Sequence, residues 1–282
     1  MSQIKRIFLK KIKIFAEELT EYVSTNSGEW SIKGFIDVKK NVYTISSDSK
    51  IVSKILEIQL FPKFKEFAKA NGYDIVLAEK QNWYPDLSFV NIADPSIKFA
   101  VDIKTTYRLE NYTGFCNGFT LGSHGEYFRK RTSTKNIQFP YADYTAHLCL
   151  GVLYTRAIST DIDETEILQL SKLDKITSVI KDLIFFAEEK WKISSDKGGS
   201  GNTANIGSIH FIEDVLNGNG VFVNLGETIF DEYWINQGVL QVPDEKKAGN
   251  FKKLTKLTEF LDFKGMDKSL INSPRPKRKN KK

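Results

Sequence analysis

The chain has 282 residues, 41% hydrophobic and 27% charged, the balance of an ordinary globular protein. Lys and Arg exceed Asp and Glu by 41 to 35, for a net charge of +6, which suits a polyanionic partner without specifying one. Two cysteines, Cys116 and Cys149, exclude a disulfide framework and read as buried thiols, and the absence of about 18 consecutive apolar residues excludes a transmembrane helix. Lysines interrupt the first fifteen residues too often for a signal-peptide core, so a cytoplasmic location is expected.

Ile4, Phe8, Ile12, Phe15, Leu19 and Tyr22 recur at steps of three and four and predict an amphipathic helix. Ile32 to Val38 and Val42 to Ser46 flank Lys39-Lys40-Asn41 and read as a hairpin. Asp48 and its serine neighbours offer N-caps for a second helix, Lys50 to Ala70, which Pro62 is expected to kink or split and Asn71-Gly72 to end. Strands are predicted at Tyr73 to Ala78, Tyr84 to Ile92 and Ile97 to Thr105. The last two are joined by the turn residues Ala93-Asp94-Pro95-Ser96 and should pair antiparallel. Tyr144 to Ala157 reads as a buried central strand, Ile176 to Trp191 as a helix, Lys197 to Asn205 as a loop, Ile206 to Ile212 as a strand and Phe230 to Trp234 as a helical turn. Beyond Gln241 the periodicity weakens. The pattern is mixed α/β: one domain over residues 1–270 and a tail over 271–282 carrying six positive and no negative residues. A solubilising tail and a DNA contact both fit that tail.

Pro85-Asp86 and Asp102-Ile103-Lys104 lie sixteen residues apart from carboxylate to carboxylate, a spacing that suits two strands joined by a short loop. Asp102 and Lys104 share one face of a strand, while Ile103 points to the other. Two carboxylates can hold a Mg²⁺ on a phosphate, and an ammonium can steady an attacking water or a pentavalent phosphorus. About one unrelated chain in ten would carry the same pattern by chance, and an exposed Asp-Lys pair on a strand edge fits it equally well. Glu57, one heptad after Lys50, offers a further carboxylate or a solvated surface residue. His124, His147 and His210 lack metal-site spacing, and His147, within an apolar strand, reads as a core histidine. No Walker, dinucleotide-binding or nucleophile-elbow motif is present.

Gly198-Gly199-Ser200-Gly201-Asn202-Thr203 is a flexible loop, a phosphate cradle, or a loop that reads DNA. In the last case Asn202 would pair with an adenine and Thr203 would offer its methyl group to a thymine.

These segments, with Ser47-Asp48-Ser49-Lys50, Gln81-Asn82-Trp83-Tyr84-Pro85-Asp86, Val101 to Tyr107, Phe119-Thr120-Leu121-Gly122, Thr134-Lys135-Asn136-Ile137 and Asn205 to His210, occur in one order. In that order the chain, over about Ile32 to Phe222, resembles the EcoRV-type restriction endonucleases of the PD-(D/E)xK superfamily. The resemblance implies a restriction-endonuclease-like core, a central mixed β-sheet flanked by helices, in a U-shaped homodimer around double-stranded DNA. The N-terminal helix and first hairpin would take part in dimerisation. It implies Mg²⁺ held by Asp86 and Asp102 with Glu57 near, and Lys104 as a catalytic residue. Gly199, Ser200, Gly201, Asn202 and Thr203 would form a major-groove loop. Gln81 and Asn82 would approach the minor groove, and Thr105, Thr106 and Lys135 the DNA backbone. It further implies the palindrome GATATC cut bluntly at its centre, and a cognate DNA methyltransferase in the host. Trp83 stands where these enzymes carry a His, and the basic tail has no counterpart among them. Two competing readings are a structure-selective repair or junction nuclease of the same superfamily, and a DNA-binding protein that does not cut.

Overall fold

In the computed structural model, residues 2–80, 82–157, 163, 165–199, 201, 204–244 and 249–276 are described. Helix α1 (Gln3–Val23) starts at Ser2, whose hydroxyl accepts the Lys5 N–H. Its Phe8, Ile12, Phe15 and Leu19 are buried, whereas Ile4 and Tyr22 at the ends of the predicted stripe are exposed. Strands β1 (Gly34–Ile36) and β2 (Asn41–Thr44) form the predicted hairpin. Helix α2 (Ser49–Ala70) is capped by the Asp48 carboxylate and runs unbroken through Pro62. A proline here removes the N–H that would bond the Ile58 carbonyl, and Ile58 lies on the solvent side, 65% exposed, where that loss is tolerated.

Strands β3 (Tyr73–Leu77), β4 (Leu87–Asn91) and β5 (Lys98–Tyr107) follow as an antiparallel meander. The turn between β4 and β5 is held by the Asn91 side chain, which accepts the N–H groups of Ala93 and Asp94. After β6 (Thr120–Ser123) and the short α3 (Glu126–Arg129), the long β7 (Tyr144–Arg156) pairs parallel to β5. Strand β8 (Ile167–Gln169) joins the hairpin as β1-β2-β8. Residues 180–189, read above as helical, form strand β9 (Ile180–Glu189), antiparallel to β7. The central sheet is thus mixed, in the order β3-β4-β5-β7-β9.

Two cores lie on either side of that sheet. Phe89, Phe99, Val101, Ile103, Leu148 and Leu150 pack against α1 and α2, with the Phe8 ring stacked on Phe99 at 3.9 Å. Ala100, Cys149 and Phe186 face a second layer. This layer contains β10 (Ser194–Gly198), β11 (Asn205–Ser208), α4 (Ile212–Leu216), α5 (Glu227–Asn236), the hairpin of β12 (Gln241–Pro243) and β13 (Phe251–Lys253), and α6 (Leu257–Lys264). Strands β10, β11 and β6 make a small sheet. The weak periodicity after Gln241 conceals ordered structure: Val242, Leu254, Leu257, Phe260 and Leu261 are buried in the second core. The predicted strand at 206–212 ends at Ser208 and passes into α4. Half of the basic tail, residues 277–282, lies outside the described residues. Its first arginine, Arg275, sits over the Phe211 ring, and its backbone N–H donates to Asp214. No helix among the described residues is long and apolar enough to cross a membrane.

Candidate active site

Strand alternation assigns the faces of β5. Phe99, Val101 and Ile103 enter the first core, while Ala100, Asp102 and Lys104 line the opposite face. Leu87 pairs with Val101, so Asp86, one residue before β4, falls opposite Asp102 at the open end of the hairpin. The Asp86 Oδ2 accepts the Ile103 N–H at 2.7 Å. The Lys104 Nζ lies 2.6 Å from the Asp102 Oδ2. Asp102 is only 7% exposed.

Crowding two carboxylates into this half-buried corner favours the protonated form of one of them. Burial, and then the charge of Asp102, push the Asp86 carboxyl up to about 7, against the pull of Lys104 and the Ile103 N–H. Burial alone would lower the Lys104 ammonium, but Asp102 and Asp86 outweigh it and hold the pKa above the ordinary lysine value. Lys104 therefore remains a cation at neutral pH.

The trio stands where two hollows meet. A cleft of about 990 Å³ runs between α2 and β5 and is lined by Lys50, Lys54, Glu57, Trp83, Asp86 and Lys104. A recess of about 390 Å³ on the other side is lined by Asn82, Trp83, Asp86, Asp102, Lys104 and Lys135. Glu57 is thus on the cleft wall, ion-paired to Lys54 at 2.7 Å, and its charge contributes to raising Asp86. It does not close a three-ligand cage: among the described residues no three or more His, Cys, Asp or Glu side chains cluster closely enough for a metal.

Thr105 faces the larger cleft. Thr106 is buried and donates its hydroxyl to the Asn117 carbonyl, bracing the chain that leads to β6. Lys135 is exposed and paired to Glu126 at 2.8 Å. Gly199 is fixed by its N–H to the Asn205 carbonyl at the base of the glycine loop, and Gly201 takes φ +93°, open to glycine at no steric cost. Gln81, Ser200, Asn202 and Thr203 lie outside the described residues. His147 is buried, bonded to the Tyr84 hydroxyl and the Tyr141 carbonyl, and held neutral by burial and then by the nearby Lys190 charge. Both cysteines are buried free thiols. Cys149 pairs in register with Asp102, and burial raises its thiol well above the ordinary range.

One residue beside the site carries no local sequence signal. Lys190, the residue after β9, is 3% exposed, and its Nζ has no hydrogen-bond partner among the described residues. It sits 4.6 Å from the Tyr84 ring centroid, with Phe128 and Tyr141 as further walls. Gly122 makes room for it: a Cβ there would lie 3.0 Å from the Lys190 Nζ. Burial pushes its pKa down to about 8, against the attraction of Asp102. In sequence it is one charge in the run Glu188-Glu189-Lys190, and only the packing of β9 against the second layer reveals it.

Two hard carboxylates, an adjoining cation and a cleft beside them are the chemistry of phosphodiester hydrolysis. Residues 26–265 match the family described as Restriction endonuclease EcoRV. The chain is therefore a site-specific deoxyribonuclease of the type II restriction class. It is 35% identical over 209 residues to the type II restriction enzyme EcoRV of Escherichia coli, covering 74% of this chain and 82% of that enzyme. The chain belongs to the EcoRV restriction endonuclease family.

Proposed function

We propose that the protein is a Mg²⁺-dependent homodimeric endonuclease that cuts double-stranded DNA at GATATC, bluntly and at the centre, leaving 5′-phosphate ends. The observation that carries the catalytic part is the convergence of Asp86, Asp102 and Lys104 at one hairpin end on a cleft. The target rests on the retained string Gly199 to Thr203, and a two-fold palindrome matches a two-fold dimer. Phe35, Ile36 and Val38 on the first hairpin are exposed, an apolar surface that suits self-association. Helix α1 also leaves Ile4, Ile7, Ile14 and Tyr22 exposed, so both segments offer apolar surface for that contact. A single domain over residues 1–270 accords with one sheet shared by two cores.

The donor set fits Mg²⁺, which takes one or two carboxylates and completes its shell with water and substrate phosphate. Asp86 and Asp102 would hold it. When bound, the ion supplies charge neutralisation at the phosphate and acidifies a water. Asp86 must give up the proton that it shares with solvent near pH 7. Lys104 would position Asp102 through its 2.6 Å contact, and Asp102 and Asp86 favour its charged form, which suits electrostatic stabilisation of the phosphate. Asn202 would read an adenine in the major groove, and Gln81 and Asn82 would approach the minor groove. Thr105 and Lys135 would meet the backbone. Glu57, already paired to Lys54, would act on the site through its charge. Such an enzyme would meet genomic and invading DNA in the cytoplasm, where a cognate methyltransferase would protect host sites.

Plasmid digestion tests this. Wild-type protein with Mg²⁺ should give discrete bands, and Asp102→Ala should lower the rate by on the order of 10²–10³ or more. A smear, or cutting at junctions only, would favour the structure-selective reading. Full activity of Asp102→Ala would remove Asp102 from the chemistry.

A further inference from the structure

The loop that leads into Asp86 carries an indole that the proposed chemistry leaves unused. Trp83 is half-buried three residues before Asp86, and it lines both hollows that meet at the trio. The base of this loop is pinned. The Glu79 N–H donates to the Gln138 side chain, the Tyr84 N–H to the Asn136 carbonyl at 3.0 Å, and the Gln138 N–H to the Tyr84 carbonyl at 2.8 Å. Its tip closes as a turn, with the Trp83 N–H donating to the Lys80 carbonyl at 2.9 Å. The exposed Lys80 places its ammonium over the indole, 5.4 Å from the ring centroid.

The fold has no evident need for this ring. Trp30 and Trp234 are fully buried among core residues, whereas Trp83 belongs to neither core. A flat apolar ring on a loop pinned at its base, with a cation over one face and lining a cleft, suits a nucleotide at an unstacked step of the duplex: an unstacked base packs on an aromatic face and phosphates take the charge. We propose that Trp83 and Lys80 form a stacking platform for a nucleotide of the bound DNA beside the scissile phosphate. Trp83 is then a positioning residue, which holds the strand against Asp86 without touching the reacting atoms. This rests on the endonuclease reading but on neither its target sequence nor its metal.

The test is intrinsic tryptophan emission during titration, in EDTA, with a short duplex bearing the site recovered from digested plasmid, or arbitrary sequence if no single site emerges. DNA should quench the wild-type emission, and Trp83→Phe should lose that quench while binding near wild type. Trp83→Ala should bind about ten-fold more weakly, with an unchanged thermal melt. Duplexes carrying 2-aminopurine should identify the stacked position by a change in its emission that Trp83→Ala abolishes. A quench that persists in Trp83→Phe, or a Trp83→Ala protein that binds and cuts as wild type, overturns the platform. Neither result bears on whether the trio cleaves DNA.

Discussion

Asp86 and Lys190 show how burial tunes single residues around this site. Asp86 titrates at about 7 against a normal 3.8, so between about pH 4 and 7 the folded metal-free chain binds a proton that the unfolded chain has lost. Its contribution to stability is therefore fully present below pH 4 and is lost as pH rises through 7. Asp86→Asn removes that dependence: in denaturant melts with EDTA, the stability of the variant relative to wild type should increase across this window. A constant difference would contradict the crowding. Lys190 works in the opposite direction. Its pKa is pushed from 10.5 to about 8, so stability rises with pH between these values, as the unfolded chain alone takes up the proton. Lys190→Met should flatten that rise, so that its stability relative to wild type is greater at pH 7 than at pH 10, as read by urea titration at both.

At the scale of elements, the clearest dependence is that of the sheet on α1. This helix lies before the residues that match the family, yet its Phe8 stacks on Phe99 of β5, the strand that carries Asp102. Phe8→Ala should cost about 3–5 kcal/mol in a urea melt, and a loss under 1 kcal/mol would show that the sheet does not need the helix. The strands of the hairpin beside Asp86 and Asp102 were legible because period-two alternation and turn chemistry are local properties. Strand β9 was not. Both of its faces are covered, and Asp182 at φ +52° breaks the alternation where its register with β7 shifts, so its apolar residues mimic helical spacing. Helix α6 was also missed, because only four of its eight residues are buried, in a segment where charge masks the pattern. The pairing of Asp86 with Asp102 could be read from sixteen residues of sequence. The cage around Lys190 could not, because it joins residues from Tyr84 to β9 that meet only in the fold.

For the whole molecule, the sheet separates two tasks. One face builds the core with α1 and α2, and the other presents the carboxylates and lysine beside a second layer that includes β10 and β11, the strands flanking the glycine-rich segment. In the proposed function, cutting and reading DNA fall to different elements, a hairpin end and a loop about a hundred residues downstream. The EcoRV family relationship fixes the class of reaction, while the target and cut position are the strongest commitments of the proposed function. Sequencing the ends of plasmid digested with Mg²⁺ reports both at once. The account predicts blunt ends at GAT/ATC with 5′-phosphates at every cut. Ends with overhangs, a different recurring sequence, or no recurring sequence would contradict it.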